Sequence, residues 1–115
     1  MAVKALEKTL RPRLTESGEY ILTIGWVCET ENLDGVSVRF DTGDGSTFFY
    51  TFVLTDDDRP QDKLWFGQMV RASRIGSPAY PEDLLGARFR AGVKVDTNGD
   101  KRYYNFKYME VLNAE

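Results

Sequence analysis

The sequence contains no histidine and only one cysteine, Cys28, in 115 residues. The lack of histidine excludes His-based general base catalysis and His-ligated metal sites. A single cysteine excludes an internal disulfide and a Cys-rich zinc site. No apolar run approaches the roughly 18–20 residues that span a membrane, and the N-terminal residues lack the pattern of a secretory signal peptide. We therefore expect a cytoplasmic, non-enzymatic protein with no cofactor, no bound metal and no membrane partner.

The residues that are present suit a single folded domain with an uneven charge distribution. Hydrophobic residues make up 42% of the chain, enough for a sizeable core and too many for global disorder. The net charge is −3, but residues 1–58 hold 5 Lys and Arg against 11 Asp and Glu, whereas residues 59–115 hold 10 against 7. A local basic strip can bind an anionic polymer even on an acidic protein. The alternative interpretation is a solvated face that keeps the protein in solution.

Five segments have the apolar patterning of strands, over about residues 18–30, 36–41, 48–54, 87–96 and 101–112. A helix is predicted over about residues 61–75, because a set of mostly apolar side chains there shares one face. These are Trp65, Phe66, Met69, Val70, Ala72 and Ser73. Asp58 or Asp62 is predicted to cap its N-terminus, and Gly76 to end it.

The first strand is long enough to serve two sheets, with a bend at Gly25, because a glycine within a strand often marks a bulge or a bend. Simple alternation puts Trp26 and Cys28 in phase with Leu22 and Ile24, so both are predicted to be buried; a place for Trp26 on the binding surface is the alternative. Residues 1–17 precede this strand as an arm, whose short helix would end at Pro12.

The predicted order of three strands, one helix and two strands is the layout of the OB-fold. We therefore predict a mainly β protein, a five-stranded Greek-key OB barrel over residues 18–115. The helix between strands 3 and 4 would plug one end of this barrel. Another small α+β or barrel arrangement is the alternative.

The C-terminal half combines cations with aromatic side chains in the way that single-strand binders do. On strand 4, basic residues share one face with Gly92, which would let a nucleic-acid strand approach the backbone. On strand 5, Tyr103 and Lys107 are predicted to face outward, and Tyr104, Phe106 and Tyr108 to face the core. The predicted nucleic-acid site consists of Arg39, Phe49, Arg88, Arg90, Lys94, Lys101, Arg102, Tyr103 and Lys107. Cross-strand aromatic packing with ordinary surface charge is the alternative interpretation.

Two other motifs suggest different chemistry. Asp41-Thr42-Gly43 resembles the catalytic triplet of retroviral-type aspartic proteases, but Arg39 and Asp44 replace residues that are apolar or small in that family. The run from Asp56 to Asp58 could attract a divalent cation, although its spacing matches no known metal loop. We interpret this run as a solvated loop before the helix.

Several segments together resemble the small single-stranded-DNA-binding OB-fold proteins of phages and mobile elements. The similar segments are Gly18-Glu19-Tyr20, Ala72–Gly76, Leu84-Leu85-Gly86-Ala87-Arg88-Phe89, Val93-Lys94-Val95, Gly99, Tyr104-Asn105 and Lys107. The resemblance covers roughly residues 18–112. It implies weak sequence preference, a role in DNA replication or recombination, and a homo-oligomer, which we expect to be a dimer. Many bacterial single-strand binders end in an acidic tail that recruits partners, and residues 111–115 do not match one.

The leading hypothesis is therefore a single-stranded DNA-binding module, with RNA as the alternative nucleic acid. A protein–protein adaptor of OB type, without affinity for nucleic acid, is the alternative function.

Overall fold

The computed structural model describes residues 12–31, 34–55, 58–78 and 80–112. Five strands and one helix follow the predicted order, and the mainly β class is confirmed. They are β1 (Gly18–Glu29), β2 (Gly35–Thr42), β3 (Thr47–Val53), α1 (Pro60–Ser73), β4 (Arg88–Asn98) and β5 (Lys101–Glu110). A short 3-10 turn, Pro81–Leu84, lies between α1 and β4. The helix predicted inside the N-terminal arm lies outside the described residues.

The strands form one sheet in the order β3-β2-β1-β4-β5, and every neighbouring pair is antiparallel. β1 pairs with β4 through residues 18–23 and with β2 through residues 22–29. The register shifts between Ile24 and Trp26, so Gly25 lies in a β-bulge. The structure thus has an irregularity at the predicted position, Gly25, but β1 belongs to one sheet rather than to the two that were predicted.

The bulge overturns the predicted burial of Trp26 and Cys28. A bulge inserts one extra residue, so the side chains after it point to the opposite face from the one that alternation predicts. Leu22 and Ile24 are buried, whereas Trp26 and Cys28 are exposed on the outer face of the sheet. Val27 takes the inward position and packs against the core.

The core is built mainly from phenylalanine rings on the inner face of the curved sheet. Phe40 packs against Phe48, Phe52, Phe89 and Phe106, with ring centroids 5.1–6.4 Å apart. α1 covers this cluster through the predicted stripe, in which Met69 and Ala72 are buried and Trp65, Phe66 and Val70 are partly buried. The helix thus seals the core.

The two outer strands of the sheet, β3 and β5, approach each other through side chains. Phe48 stacks on Tyr104 with centroids 4.9 Å apart, and Tyr50 lies 5.2 Å from Phe106. In the described strands, the backbone ladders run only between neighbours in the order β3-β2-β1-β4-β5. The two edge strands of the sheet are therefore in contact through aromatic side chains.

The end of the N-terminal arm packs against the domain at this same junction. The Thr47 N–H donates to the Pro12 carbonyl (2.9 Å), and the Leu14 N–H donates to the Thr47 carbonyl (2.8 Å). The Tyr104 hydroxyl donates to the Leu14 carbonyl (2.8 Å), and the Leu14 side chain is buried. This part of the arm therefore covers the domain and contributes a core residue.

The ends of α1 differ from the predicted caps. The N-cap position is Arg59, which makes no side-chain capping bond, and Pro60 is the first helical residue. The helix stops at Ser73 because Arg74 adopts a left-handed conformation (φ 58°), two residues before Gly76 (φ 78°). Asp62 is instead buried against β3. Within the described ranges, no helix is long and apolar enough to cross a bilayer.

Candidate nucleic-acid interface

An aromatic platform lies across the outer face of the β1–β3 sheet. Trp26 pairs with Arg39 on β2, and Arg39 pairs with Phe49 on β3. The indole and phenyl rings meet over β2 in an edge-to-face contact, with centroids 5.7 Å apart. Trp26 is 42% exposed and Phe49 is 52% exposed. Because the two exposed rings are in contact and form one patch, we call Trp26 and Phe49 the aromatic platform.

The third member of this row, Arg39, is neutralised within the protein. Its Nε and Nη2 groups donate to the two carboxylate oxygens of Asp41 at 2.9 and 3.1 Å. This bidentate pair lies against the bulge, where a Cβ on Gly25 would overlap both side chains. Arg39 was predicted to belong to the nucleic-acid site, and its ion pair with Asp41 suits a support for the platform better than a free cation.

The outer face of β4 carries the predicted basic row. Phe89, Ala91 and Val93 are buried, so the alternate residues Arg88, Arg90 and Lys94 point outward as predicted. Arg90 lies 3.9 Å from Glu110, and Lys94 lies 3.9 Å from Asp96. Such exposed pairs are weak. All three cations therefore remain accessible to an external anion.

The space above Gly92 is filled, contrary to prediction. A register shift between Gly92 and Val93 pairs Gly92 with Tyr108, which was assigned to the core. A Cβ on Gly92 would overlap the Tyr108 ring, so this ring lies over Gly92 on the outer face. Its hydroxyl donates to Glu19 (2.6 Å), and this hydrogen bond raises the pKa of Tyr108. A nucleic-acid strand could not approach the backbone here without displacing Tyr108.

The β4–β5 hairpin projects beyond the rest of the sheet. Pairing between β1 and β4 ends at Gly18 and Val93, but β4 and β5 stay paired as far as Asn98 and Lys101. Four predicted site residues lie on this two-stranded ribbon: Lys94, Lys101, Arg102 and Tyr103. All four are exposed, Tyr103 by 48%. Lys107 is also exposed, on β5 at the base of the ribbon.

A groove of about 340 Å³ connects this hairpin to the aromatic platform. We call it the β3–β5 groove; its lining consists of Phe49, Tyr50, Thr51, Arg59, Arg102, Tyr103, Tyr104 and Asn105. The fold therefore brings together three predicted residues, Phe49, Arg102 and Tyr103. Arg88 and Arg90 pair with Thr23 and Ile21 of β1, toward the other end of β4, and neither lines the groove. The groove therefore gathers only part of the predicted site.

Sequence reasoning missed one residue of this surface, Arg59, and for a second, Trp26, it favoured burial over exposure. The position of Trp26 depends on the bulge, for which the Gly25-Trp26 pair was the only signal. Arg59 sits between a run of aspartates and Pro60, and no periodic pattern separates it from an ordinary loop residue.

A buried carboxylate fixes the position of Arg59. Asp62 is 3% exposed, and its two oxygens accept hydrogen bonds from the Tyr50 hydroxyl (3.0 Å) and the Val53 N–H (2.9 Å). The Arg59 Nε lies 3.1 Å from the same carboxylate. Burial of Tyr50 and its hydrogen bond to Asp62 raise the pKa of Tyr50 to about 12. This network ties the first turn of α1 to β3 beside the groove.

The two alternative chemistries find little support in this geometry. The Asp41 carboxylate is held by Arg39, whereas an aspartic protease needs it to share a proton with a second aspartate. No group of three or more potential metal ligands occurs among the described residues, although Asp56 and Asp57 lie outside them. Comparison of the sequence with protein-family models and with curated proteins gives no match.

Proposed function

We propose that this chain is a non-enzymatic, single-stranded DNA-binding protein built on an OB barrel. The strand order β3-β2-β1-β4-β5, the helix between β3 and β4, and the aromatic contacts between β3 and β5 support the OB assignment. The resemblance to phage and mobile-element proteins suggests a cytoplasmic role in DNA replication or recombination. It also suggests a homodimer.

One observation carries this proposal: exposed aromatic rings lie next to accessible cations. Trp26, Phe49 and Tyr103 each expose more than two fifths of their surface, and the β3–β5 groove links the last two to Arg59 and Arg102. Stacking of a base on such a ring contributes about 1–3 kcal/mol and tolerates any base. The cations would neutralise phosphates. Aromatic platforms with flanking cations suit an unpaired strand, because the bases of a duplex are already stacked on each other.

The test is fluorescence anisotropy of a labelled oligo-dT, with a duplex of equal length as control. We expect tight binding of the single strand alone at about 50 mM salt and clearly weaker binding at about 200 mM. Replacing Trp26 and Phe49 together by Ala should weaken binding about 10- to 100-fold, since two stacking contacts are lost. Tyr80→Ala is the matched control, because Tyr80 is also an exposed aromatic residue but lines a different groove.

The basic row on β4 is tested in the same assay. Replacing Arg90 and Lys94 together by Glu should weaken binding to every sequence and flatten its salt dependence. Unchanged affinity in this double variant would move the phosphate contacts away from β4. An oligo-rU of the same length separates a preference for DNA from one for RNA.

The adaptor alternative is favoured by a second groove at the other end of β3. This groove, of about 320 Å³, is lined by apolar side chains including Val36, Leu54 and Phe66, with Glu29 and Asp34 at its edge. Its acidic edge suits a peptide better than a nucleic acid. Absence of oligonucleotide binding at low salt would favour this function over the first.

A further inference from the structure

We propose that the β3–β5 groove binds the sugar–phosphate backbone of the single strand, with Arg59 as its phosphate contact and Asp62 as the residue that positions Arg59. This inference rests on the proposed function and assigns a path to the strand. Bases would stack on Phe49 and Tyr103, and the backbone would pass between them through the groove.

Arg59 is both held in place and accessible. Its contact with Asp62 uses one of the five N–H donors of the guanidinium, and 52% of the side chain stays exposed. Asp62 also accepts hydrogen bonds from Tyr50 and Val53, so its charge is shared among three donors. Arg39 differs, because its side chain is only 30% exposed and gives two donors to Asp41. A pre-positioned guanidinium loses less conformational entropy when it binds a phosphate.

The remainder of the lining also favours an anion. Arg102 contributes a second cation from β5, and Asn105 contributes an amide that can donate. Within the part of the chain that the structure describes, no acidic side chain lines this groove, whereas Glu29 lines both the apolar groove and a smaller one beside Cys28. Among the described residues, no carboxylate lies within ion-pair distance of Arg102. The lining therefore combines two cations, Arg59 and Arg102, with three tyrosine side chains, Tyr50, Tyr103 and Tyr104.

The size and surroundings of the groove suit one sugar–phosphate unit of single-stranded DNA. Its volume of about 340 Å³ is near the lower end of the range for small-ligand sites, about 300–1,000 Å³. Another groove carries two arginines, Arg74 and Arg88, but no aromatic side chain lines it. The β3–β5 groove thus combines contacts for a phosphate with contacts for the adjacent bases.

The experiment compares Arg59→Gln with Arg71→Gln, which removes the same charge from an exposed position in the last turn of the same helix. Both are titrated with oligo-dT and with an abasic strand of equal length across a salt series. Arg59→Gln should weaken binding of both strands about tenfold. The negative slope of log affinity against log salt should become shallower by about 0.7, because one phosphate contact is lost. Arg71→Gln should match the wild type.

Two further variants test the positioning and the path. Arg59→Lys keeps the charge but lacks the planar fork that Asp62 holds, so it should restore the salt slope and only part of the affinity. Phe49→Ala should weaken binding of oligo-dT and leave binding of the abasic strand unchanged.

The two proposals can fail separately in this design. If Phe49→Ala weakens binding while Arg59→Gln binds as the wild type does, the groove inference is wrong and the proposed function stands. If Arg59→Lys recovers full affinity, Asp62 has no positioning role. If the wild-type protein binds neither strand, the proposed function itself fails.

Discussion

Gly35, the first residue of β2, allows a sharp prediction because it is packed against backbone rather than against side chains. Cβ atoms essentially never lie closer than 3.0 Å to a heavy atom of another residue. A Cβ at Gly35 would lie well within that distance of the Phe52 carbonyl oxygen, and 3.0 Å from the Val53 Cα. No rotamer change can relieve a clash with the neighbouring strand, so Gly35→Ala must push β2 and β3 apart. The Leu54 N–H bond to the Asp34 carbonyl (2.8 Å) would be strained as well.

Two contributions lower the stability of the Gly35→Ala variant, and a third raises it. Overpacking costs about 1–3 kcal/mol, and each weakened hydrogen bond costs about 0.5–1.5 kcal/mol. The lower entropy of the unfolded alanine chain returns about 0.4–1 kcal/mol. We therefore expect Gly35→Ala to lower the free energy of unfolding by about 2–3 kcal/mol, and Tm by about 8–12 °C for a domain of this size.

Thermal unfolding followed by circular dichroism measures this effect, with Gly43→Ala as the matched control. Gly43 lies in the β2–β3 turn, and nothing lies within 4 Å of a Cβ built there. The control should therefore melt within about 2 °C of the wild type. Equal Tm values for the two variants would refute the close approach of β2 and β3 at Gly35.

Three other predictions concern a titration, a core contact and an exposed thiol. The raised pKa of Tyr50 (about 12, against about 10 when unfolded) favours the folded state fully below pH 10, and this contribution is lost as the pH rises toward 12. Tyr50→Phe should therefore lose less stability than the wild type between pH 10 and 12 in urea unfolding; identical alkaline slopes would contradict the hydrogen bond to Asp62. Leu14→Ala should lower the free energy of unfolding by about 2–4 kcal/mol, because the side chain is buried; a change below 0.5 kcal/mol, about the level of a surface substitution, would mean that the arm does not contribute to the core. Because Cys28 is exposed, its thiol should react with a thiol reagent as fast in the folded protein as in urea. A slower reaction of the folded protein would mean that the thiol is buried.

Periodicity predicted the elements of this fold well, because burial of one face governs most of each strand. The residues that alternate inward on β4, from Phe89 to Val93, are buried, and the helix begins within one residue of its predicted start. The Asn98-Gly99 pair, which favours a tight turn, lies where β4 ends at Asn98 and β5 begins at Lys101.

The wrong burial predictions depend on local breaks in periodicity. One extra residue at the Gly25 bulge turned Trp26 and Cys28 outward, and the shift opposite Gly92 did the same for Tyr108. A bulge depends on how two strands pair, and the sequence of one strand does not contain that information. Asp62 was assigned to a cap because its main partners, on β3, are distant in sequence from the helix start. The prediction of the site is affected too, because Trp26 lies on the outer face, beside Phe49, only as a result of the bulge at Gly25.

The pairing of β1 has a consequence for how the chain folds. The β1–β2–β3 meander and the β4–β5 hairpin each join segments that are close in sequence, so each can form early. The seam between β1 and β4 is different, because even its nearest partners, Thr23 and Arg88, are 65 positions apart. Closing so large a loop costs entropy before any contact forms. We therefore expect the β1–β4 pairing to assemble last, and substitutions there to speed unfolding more than they slow folding.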